Sequence, residues 1–545
     1  MGLFSLLSVG TRGLQAAQLG MDISGQNISN ADVEGYSRKR LNMAADYRPD
    51  GTYGQMGFGV EVINIDRLRN AFFDQQIQQQ NQQVGYYTAI DEAYQNLESI
   101  FTEPTETGLN EYLNQFFDSW QNLANNPADP SARTMVKTNG EILTGVFHNL
   151  ATQISDYKQS RNNEIIQRVN KVNELTKEIF NLNKEIAAVE ISSQNANDSR
   201  DKRDKLLKDL SQIIDIDTIE NELGQITVTT GGSIIVSPAY QQDIETTTST
   251  YTAADGSTVT DIGMRFFDSK RTYVPNNGEL KGLLDARDVV LPEYQAKLDT
   301  LANALVATIN EAHVRGYSLN GVSGIEFFDA TSTGASDISL SAAVLSNVQN
   351  IAAASGGQIL VAPTQTITLT YGTPGSLGNT NINQNSVIVM AGSATLVENT
   401  DYQIDYRTGA IQMLHAGYNG TPLTVNYRYT AGNSQGVGSN ANAIAIAQLR
   451  EQLTMDNDIL GNPTASFSEF YASFIGRLGL DRNEATSNLD SRNHLVAQYE
   501  AQQDSVAGVS LDEEMAEIIK FQHIYQASAR LITTTSEMLD ILLNM

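Results

Sequence analysis

Residues 3–28 read LFSLLSVGTRGLQAAQLGMDISGQNI, with Leu3, Leu7, Gly10, Leu14, Ala17, Met21 and Ile28 recurring at steps of three, four or seven. Residues 515–543 read MAEIIKFQHIYQASARLITTTSEMLDILL and repeat the pattern with Met515, Ile518, Tyr525, Ala529, Ile532, Leu539 and Leu543. Such steps put small and apolar side chains along one side of a helix that is otherwise polar. A lone helix of this kind has nothing to bury its stripe against and is marginal in water. Two of them, at opposite ends of a 545-residue chain, predict a terminal α-helical coiled coil that closes the molecule or joins it to its neighbours. The alternative is that each helix docks separately on the globular body.

Inward from the ends, helical and β-rich stretches alternate. Residues 70–100, 109–126 and 131–195 read as helix. In the last of these, Ile165, Val169, Val172, Thr176, Ile179, Asn183 and Ile186 keep heptad spacing between Lys and Glu residues. The Gln-rich run from Gln75 to Gln83 reads as a polar helix face. From 211 to 275 the pattern turns to strands, and Ile226 and Val228, then Gly231-Gly232, then Ile234 and Val236 spell a hairpin. Helix is expected again after Pro292, with Leu298, Leu301, Leu305, Ile309 and Ala312 buried, ending near Gly316 before an Asn320-Gly321 turn.

Residues 358–433 read as a compact β module. Ile367 and Leu369 alternate with threonines, Val387 and Val389 open a second alternation, and Tyr402, Ile404 and Tyr406 lead through Arg407-Thr408-Gly409 to Ile411 and Met413. Leu423, Val425, Tyr427 and Tyr429 follow an Asn419-Gly420 turn. The segments flanking the module, 350–355 and 436–443, look like halves of one interrupted segment, so the module is inserted. Residues 442–455 and 465–507 resume helix, to pair with the earlier long helices.

The expected fold is multidomain α+β, with a terminal α-helical coiled coil and a long-helix bundle carrying nested outer β domains. Residues 1–60 and 505–545 form the terminal unit, and 61–210, 279–330 and 440–504 the long-helix unit. Residues 211–278 form a β-rich unit, and 331–439 an outer unit containing the inserted module.

Formal net charge is −28, from 63 acidic and 35 basic residues. That opposes binding to nucleic acid or an anionic membrane, where phosphate contacts need clustered cations. No cysteine is present, so disulfides, thiolate nucleophiles and Cys-based metal sites are excluded. No cationic segment precedes the apolar start and no clean cleavage site follows it, so a standard secretory signal is not expected. No apolar run approaches the roughly 20 residues of a membrane span.

Chemistry is sparse. His148, His313, His415, His494 and His523 stand apart, none in helical-ligand spacing and none followed by Glu. Asp215-Ile216-Asp217 and Asp456-Asn457-Asp458 do not continue into a calcium loop. Gly51, Gly54, Gly57 and Gly59 lack a Gly-Lys-Ser/Thr ending and read as turn residues. Asp512-Glu513-Glu514, at a helix start, suits the positive end of the helix dipole. The expectation is a chain with no enzymatic activity, no cofactor and no metal.

The exit of the first helix is the most specific segment. Residues 26–38, QNISNADVEGYSR, supply Asn30 and Asp32 for a helix exit and Gly35 for a positive φ. An Asn-Ile-Ser-Asn run ending in Gly-Tyr-Ser-Arg, carried here by Asn27, Asn30, Gly35, Tyr36, Ser37 and Arg38, resembles the N-terminal motif of flagellar rod, hook and hook-associated proteins. The ending is most similar to the hook-associated protein 1 family. GFGVEV at 57–62 with Ile65-Asp66-Arg67, ANDSRDKRD at 196–204, GELKGLLD at 278–285 and GYSLNG at 316–321 resemble further family signatures. GVSLDEE at 508–514, Phe521-Gln522 and YQASAR at 525–530 resemble its closing helix.

The resemblance implies a secreted structural subunit of the bacterial flagellum, exported by the flagellar type III apparatus and sited at the hook–filament junction. Its implied partners are copies of itself, hook protein, the second hook–filament junction protein and an export chaperone at the C-terminal helix. A hook or filament subunit proper, or a flagellum-displayed adhesin or surface hydrolase using the 358–433 module, are the alternatives. Tyr402, Tyr406, Tyr418, Tyr427 and Tyr429 are the residues an adhesive surface would use, although tyrosines in alternating strands more often pack.

Overall fold

A computed structural model describes residues 3–50, 54–101, 108–192, 194–252, 258–356, 358–431, 436, 438–457 and 461–543, without the side chains of 3, 47–50, 54–56, 358 and 543. The chain opens with helix α1 (Leu3–Ser29) and a long antiparallel hairpin, β1 (Lys39–Asp50) and β2 (Gly54–Arg67). Helices α2 (Ala71–Phe101), α3 (Leu109–Asn125), α4 (Pro130–Glu190) and α5 (Asn197–Ile213) follow. Helix α4 starts where Asp129 accepts a bond from Ser131 N–H and Pro130 takes a first-turn position. Its 61 residues extend about 90 Å.

Five strands come next: β3 (Asp217–Glu220), β4 (Ile226–Thr230), β5 (Ser233–Val236), β6 (Ile244–Thr252) and β7 (Thr258–Phe266). The β4–β5 turn has both Gly231 and Gly232 at positive φ, +52° and +70°, the conformation a two-residue hairpin demands. Helix then runs from α6 (Glu279–Asp285) through a π turn at Ala286–Val290 into α7 (Leu291–Arg315). It begins before Pro292, earlier than the sequence led us to expect, because the π turn carries the chain into α7 without a break.

After α8 (Ala342–Ser346) come the module strands: β8 (Gln358–Val361), β9 (Gln365–Thr368), β10 (Gly375–Ser376), β11 (Ile388–Ala391), β12 (Ala394–Thr395), β13 (Tyr402–Asp405), β14 (Ala410–Met413), β15 (Pro422–Asn426) and β16 (Arg428–Ala431). Helix α9 (Ala441–Gln448), the pair β17 (Met455–Asn457) and β18 (Pro463–Ala465), then α10 (Phe467–Ala507) and α11 (Leu511–Leu543) complete the chain. Helix α10 begins with a capping box of Ser466 and Glu469. It runs antiparallel to α2, with Thr486 bonded to Asp91 and Arg492 to Gln80.

Three apolar cores are separate. The first joins α2, α3, the N-terminal half of α4, α7, α9 and α10 around Trp120, Phe116 and Phe327. The second joins the C-terminal half of α4, α5, α6 and β4–β7. The third lies inside the module, around Leu377, Val389, Ile411, Met413 and Leu423. Phe327, Phe328, Ile338, Val344 and Ile351 are fully buried in the first core. The stretch 331–353, read from sequence as part of an outer unit, therefore packs with the long helices. The flanks of the module lie side by side, with Asn442 and Ala443 N–H donating to Ala353 O.

Asparagines, two of them buried, fasten α4 to the strands. On α4, Asn162 donates to Thr260 O and accepts from Ile262 N–H and Arg287; Asn173 bonds both backbone groups of Ile244; Asn183 bonds both backbone groups of Ile226. These residues recur about every three turns on one long helix. Asn183→Leu will strand both groups of Ile226 and one bond from Arg203, at a cost of about 2–4 kcal/mol. The check is amide exchange, which should quicken in β3–β5 and stay slow in residues 130–154.

His313 is fully buried, 6.0 Å from the Trp120 ring and 5.6 Å from that of Phe327. Ala352 N–H donates to its Nε2 at 2.8 Å, so Nδ1 carries the proton and donates to Ile325 O at 2.7 Å. Burial pushes its pKa down from 6.5 to about 4. The unfolded chain thus takes up a proton that the folded chain refuses, and stability falls as pH drops from 6.5 through 4. The loss from this group approaches about 3 kcal/mol at the acid end. His313→Gln should unfold more easily at pH 7 but show a flatter slope between pH 7 and 4. An unchanged slope would exclude His313 as its source.

Candidate functional site

Helices α1 and α11 lie against each other antiparallel, and glycines set how closely. A Cβ built on Gly10 would lie 2.7 Å from Ile532 Cγ1, one on Gly13 2.6 Å from Ser528 Oγ, and one on Gly20 2.5 Å from the Phe521 ring. Small residues on α1 therefore admit larger ones from α11. The hairpin makes a similar concession: a Cβ built on Gly59, at φ +96°, would lie 3.3 Å from Val9 Cα, beside a register shift in the ladder. Gly57 and Gly59 are strand residues and not the turn residues their spacing suggested.

On α1, Leu7, Leu14, Met21 and Ile28 are half-buried. On α11, Ile518, Ala529, Ile532 and Leu539 are half-buried, while Met515 and Tyr525 are 51% and 37% exposed. The side chains of Leu3 and Leu543 lie outside the described residues. Glu514, Phe521 and Thr535 are the most buried positions of α11, and none is in the apolar stripe read from sequence. With Ser528 they form a seven-residue repeat beside that of Ile518, Tyr525, Ile532 and Leu539. Counting apolar residues missed it because three of its four members are polar. Each has a local partner or a small neighbour: Thr535 Oγ1 donates to Leu531 O, Glu514 accepts from Arg38, and Ser528 faces Gly13.

The loop after α1 is tied down by every residue of the Asn27–Arg38 motif. Asn27, 1% exposed, holds both backbone groups of Lys39 and accepts from Tyr36 OH. Asn30 caps the exit by donating to Gln26 O, and Gly35 takes φ +84°. Ser37 donates through N–H and Oγ to the two oxygens of Asp201, at 3.0 and 2.7 Å. Arg38 bridges to the other end of the chain: its N–H donates to Ala507 O, and its guanidinium reaches Glu513 and Glu514 at 2.6 Å.

Asp198, Asp201 and Asp204 recur every three residues on α5 and so share one face. They receive Lys39, Ser37 with Arg67, and Arg67 with Arg69, respectively. Arg69 also grips Asp74, and the surrounding carboxylates hold its guanidinium protonated against the cost of burial. Burial first, then Asp198, Asp201 and Glu514, push the Tyr36 phenol up to about 12, so it remains a hydrogen-bond donor at any physiological pH. The first turn of α11 thus does more than complement a dipole: its carboxylates clamp the N-terminal loop. The sequence signal was available in the ANDSRDKRD spacing, but its partner was not.

Among the described residues no three His, Asp or Glu side chains converge to hold a metal ion, and no helix is long and apolar enough to cross a membrane. Of the tyrosines an adhesive surface would use, Tyr402 and Tyr427 are buried, and Tyr406 OH donates to Glu398.

Comparison with known proteins agrees with this geometry. A family model described as the flagellar hook-associated protein FlgK helical domain matches residues 94–328, and the flagellar basal body rod FlgEFG C-terminal model matches 498–545. A family of unknown function matches 327–444. Flagellar hook-associated protein 1 of Bacillus subtilis (strain 168) is 28% identical, over 99% of this chain and 98% of its own. The chain is similar to flagellar hook-associated protein 1 along its whole length.

Flagellar hook-associated protein 1 of Escherichia coli (strain K12) is 27% identical over 99% of both chains. The solved hook junction protein FlgK from Burkholderia pseudomallei shares the fold, with a TM-score of 0.55 at 19% identity over 80% of this chain and all of its own. In keeping with these relatives, the chain is an exported structural component of the flagellum and not an enzyme.

Proposed function

We propose that the chain polymerises through its terminal helices and joins the flagellar hook to the filament. The observation that carries this is the paired termini: α1 and α11 lie antiparallel against each other, and the outer side of α11 keeps Met515, Ile519, Met538, Ile541 and Leu542 between 51% and 64% exposed. In an array of copies that side is covered by neighbours, and the buried apolar area offsets the entropy of ordering. Hook protein lies on one side of the array and the second junction protein on the other. Before export a chaperone holds α11, since an amphipathic helix with one face open is a natural groove ligand.

Met515→Lys with Ile519→Lys tests this reading. Both side chains are exposed, so thermal unfolding should match the parent. Labelling on intact flagella should lose the band at the hook–filament boundary that the parent gives. A band of normal strength from the variant would refute assembly through this face.

The domains are nested, with inner units drawn from both ends of the chain. Residues 1–60 with 505–545 form the terminal unit, and 61–210, 279–353 and 440–504 the long-helix unit. The β unit is 211–278, and the module is 358–433. Replacing the module by a short Gly-Ser linker should leave the transition of the first core in place, because the module buries its own apolar residues. Loss of protection in residues 130–154 would show that the module is part of that core.

A further inference from the structure

Charge is distributed very unevenly along the chain. Between Asp337 and Glu398 lie 60 residues without a single Asp, Glu, Lys or Arg, in a chain that is 18% charged. The module 358–433 carries only Glu398, Asp401, Asp405, Arg407 and Arg428, net −1, which leaves net −27 on the rest. Its carboxylates are occupied locally: Glu398 by Tyr406 OH, Asp401 by Val397 N–H, and Asp405 by the N–H groups of Arg407 and Thr408.

The four-stranded sheet of the module runs β12-β11-β15-β9, so β9 and β12 are its edges. Thr366, Thr424, Met390 and Thr395 are register partners and form one uncharged row across the outer face, with Thr366 and Thr395 exposed at its ends. Thr364, Thr366, Thr368 and Thr370 are exposed along one edge, and Ile388 is 50% exposed on the same outer face. Inward-facing charge, lysine and a bulge, three of the usual protections of an edge, are missing from both strands, and only the two-residue length of β12 blunts its edge.

The geometry points to an edge-to-edge joint between neighbouring copies, β9 of one module pairing with β12 of the next. Neighbouring strands alternate in direction throughout the sheet, so β9 and β12 run oppositely and a copy added head to tail continues the antiparallel order. The occupant is a second copy because the rest of a neighbour carries net −27, whereas two modules at net −1 each meet with little like-charge repulsion. Head-to-tail contact is also what a closed ring of identical subunits requires. The joint rests on the polymeric reading above and adds a second, outer contact to it.

The absence of cysteine makes the test direct. Thr366→Cys with Thr395→Cys places two thiols about 14 Å apart across the sheet, too far to bridge within one module. On flagella that have incorporated the variant, oxidation should give a ladder of cross-linked multimers, and either single variant should stay monomeric. Incorporation without a ladder overturns the joint. A dimer from Thr366→Cys alone means two-fold pairing and overturns it as well, as does an adduct with a different protein. If the parent itself is not incorporated, that counts against the terminal-helix reading. The same cross-link on concentrated purified chain then decides the joint, with a yield expected to rise with salt as the −27 bodies are screened.

Discussion

Asp201→Ala will cost the folded chain about 3–5 kcal/mol and release the loop after the first helix. Asp201 is 7% exposed and accepts from Ser37 N–H, Ser37 Oγ and Arg67 at once, with Arg69 3.9 Å away. Arg67 keeps Asp204 and Arg69 keeps Asp74, so neither cation is wholly stranded. What remains uncompensated is the buried Ser37 pair and the excess positive charge between α5 and the hairpin. Asp201→Asn, which keeps one acceptor oxygen for Ser37 but not the charge, should cost less. Amide exchange should quicken at residues 36–40 in both variants, more in Ala, while residues 130–154 stay protected. Equal costs for the two variants would show that charge is the whole contribution.

Ile532→Asp will undock both ends together. Ile532 fills the space that Gly10 leaves, and an ionised carboxylate there loses its hydration without gaining a partner, at a cost of several kcal/mol. Because α1 and α11 cover each other, protection should fall in residues 4–28 as well as in 515–542, and incorporation into flagella and chaperone affinity should fall with it. The Arg38 clamp to Glu513 and Glu514 should survive, since it lies near the opposite end of α11. Protection of α1 that persisted when α11 was released would show that the hairpin, through contacts such as Arg12 with Asp46, is enough to hold it.

Much of the local structure was legible. The heptad steps marked α1, α4 and α11, alternation marked the module strands, and Gly231-Gly232 and Gly409 turned where the pattern placed them. The candidate site was legible in its parts and not in its connections. Asn27, Tyr36, Ser37 and Arg38 stood out as a motif, and ANDSRDKRD as another, but the bond from Ser37 to Asp201 spans 164 residues and that from Arg38 to Glu514 spans 476. Stripe reading also favoured Met515 over Glu514, because hydrophobicity counts what a side chain prefers in isolation. Glu514 is buried because Arg38 waits for it.

The sequence by itself determined the helices, the turns and their caps, because each depends on side-chain period, proline and glycine backbone freedom, or a hydrogen bond a few residues long. It also fixed the unequal distribution of charge. Only the tertiary structure decided which stripe meets which, that residues 331–353 pack with the long helices, and which polar residues are buried. Those choices depend on groups far apart in the chain. A buried asparagine such as Asn183 or a carboxylate such as Asp201 is costly until the distant backbone or cation that satisfies it is brought into place.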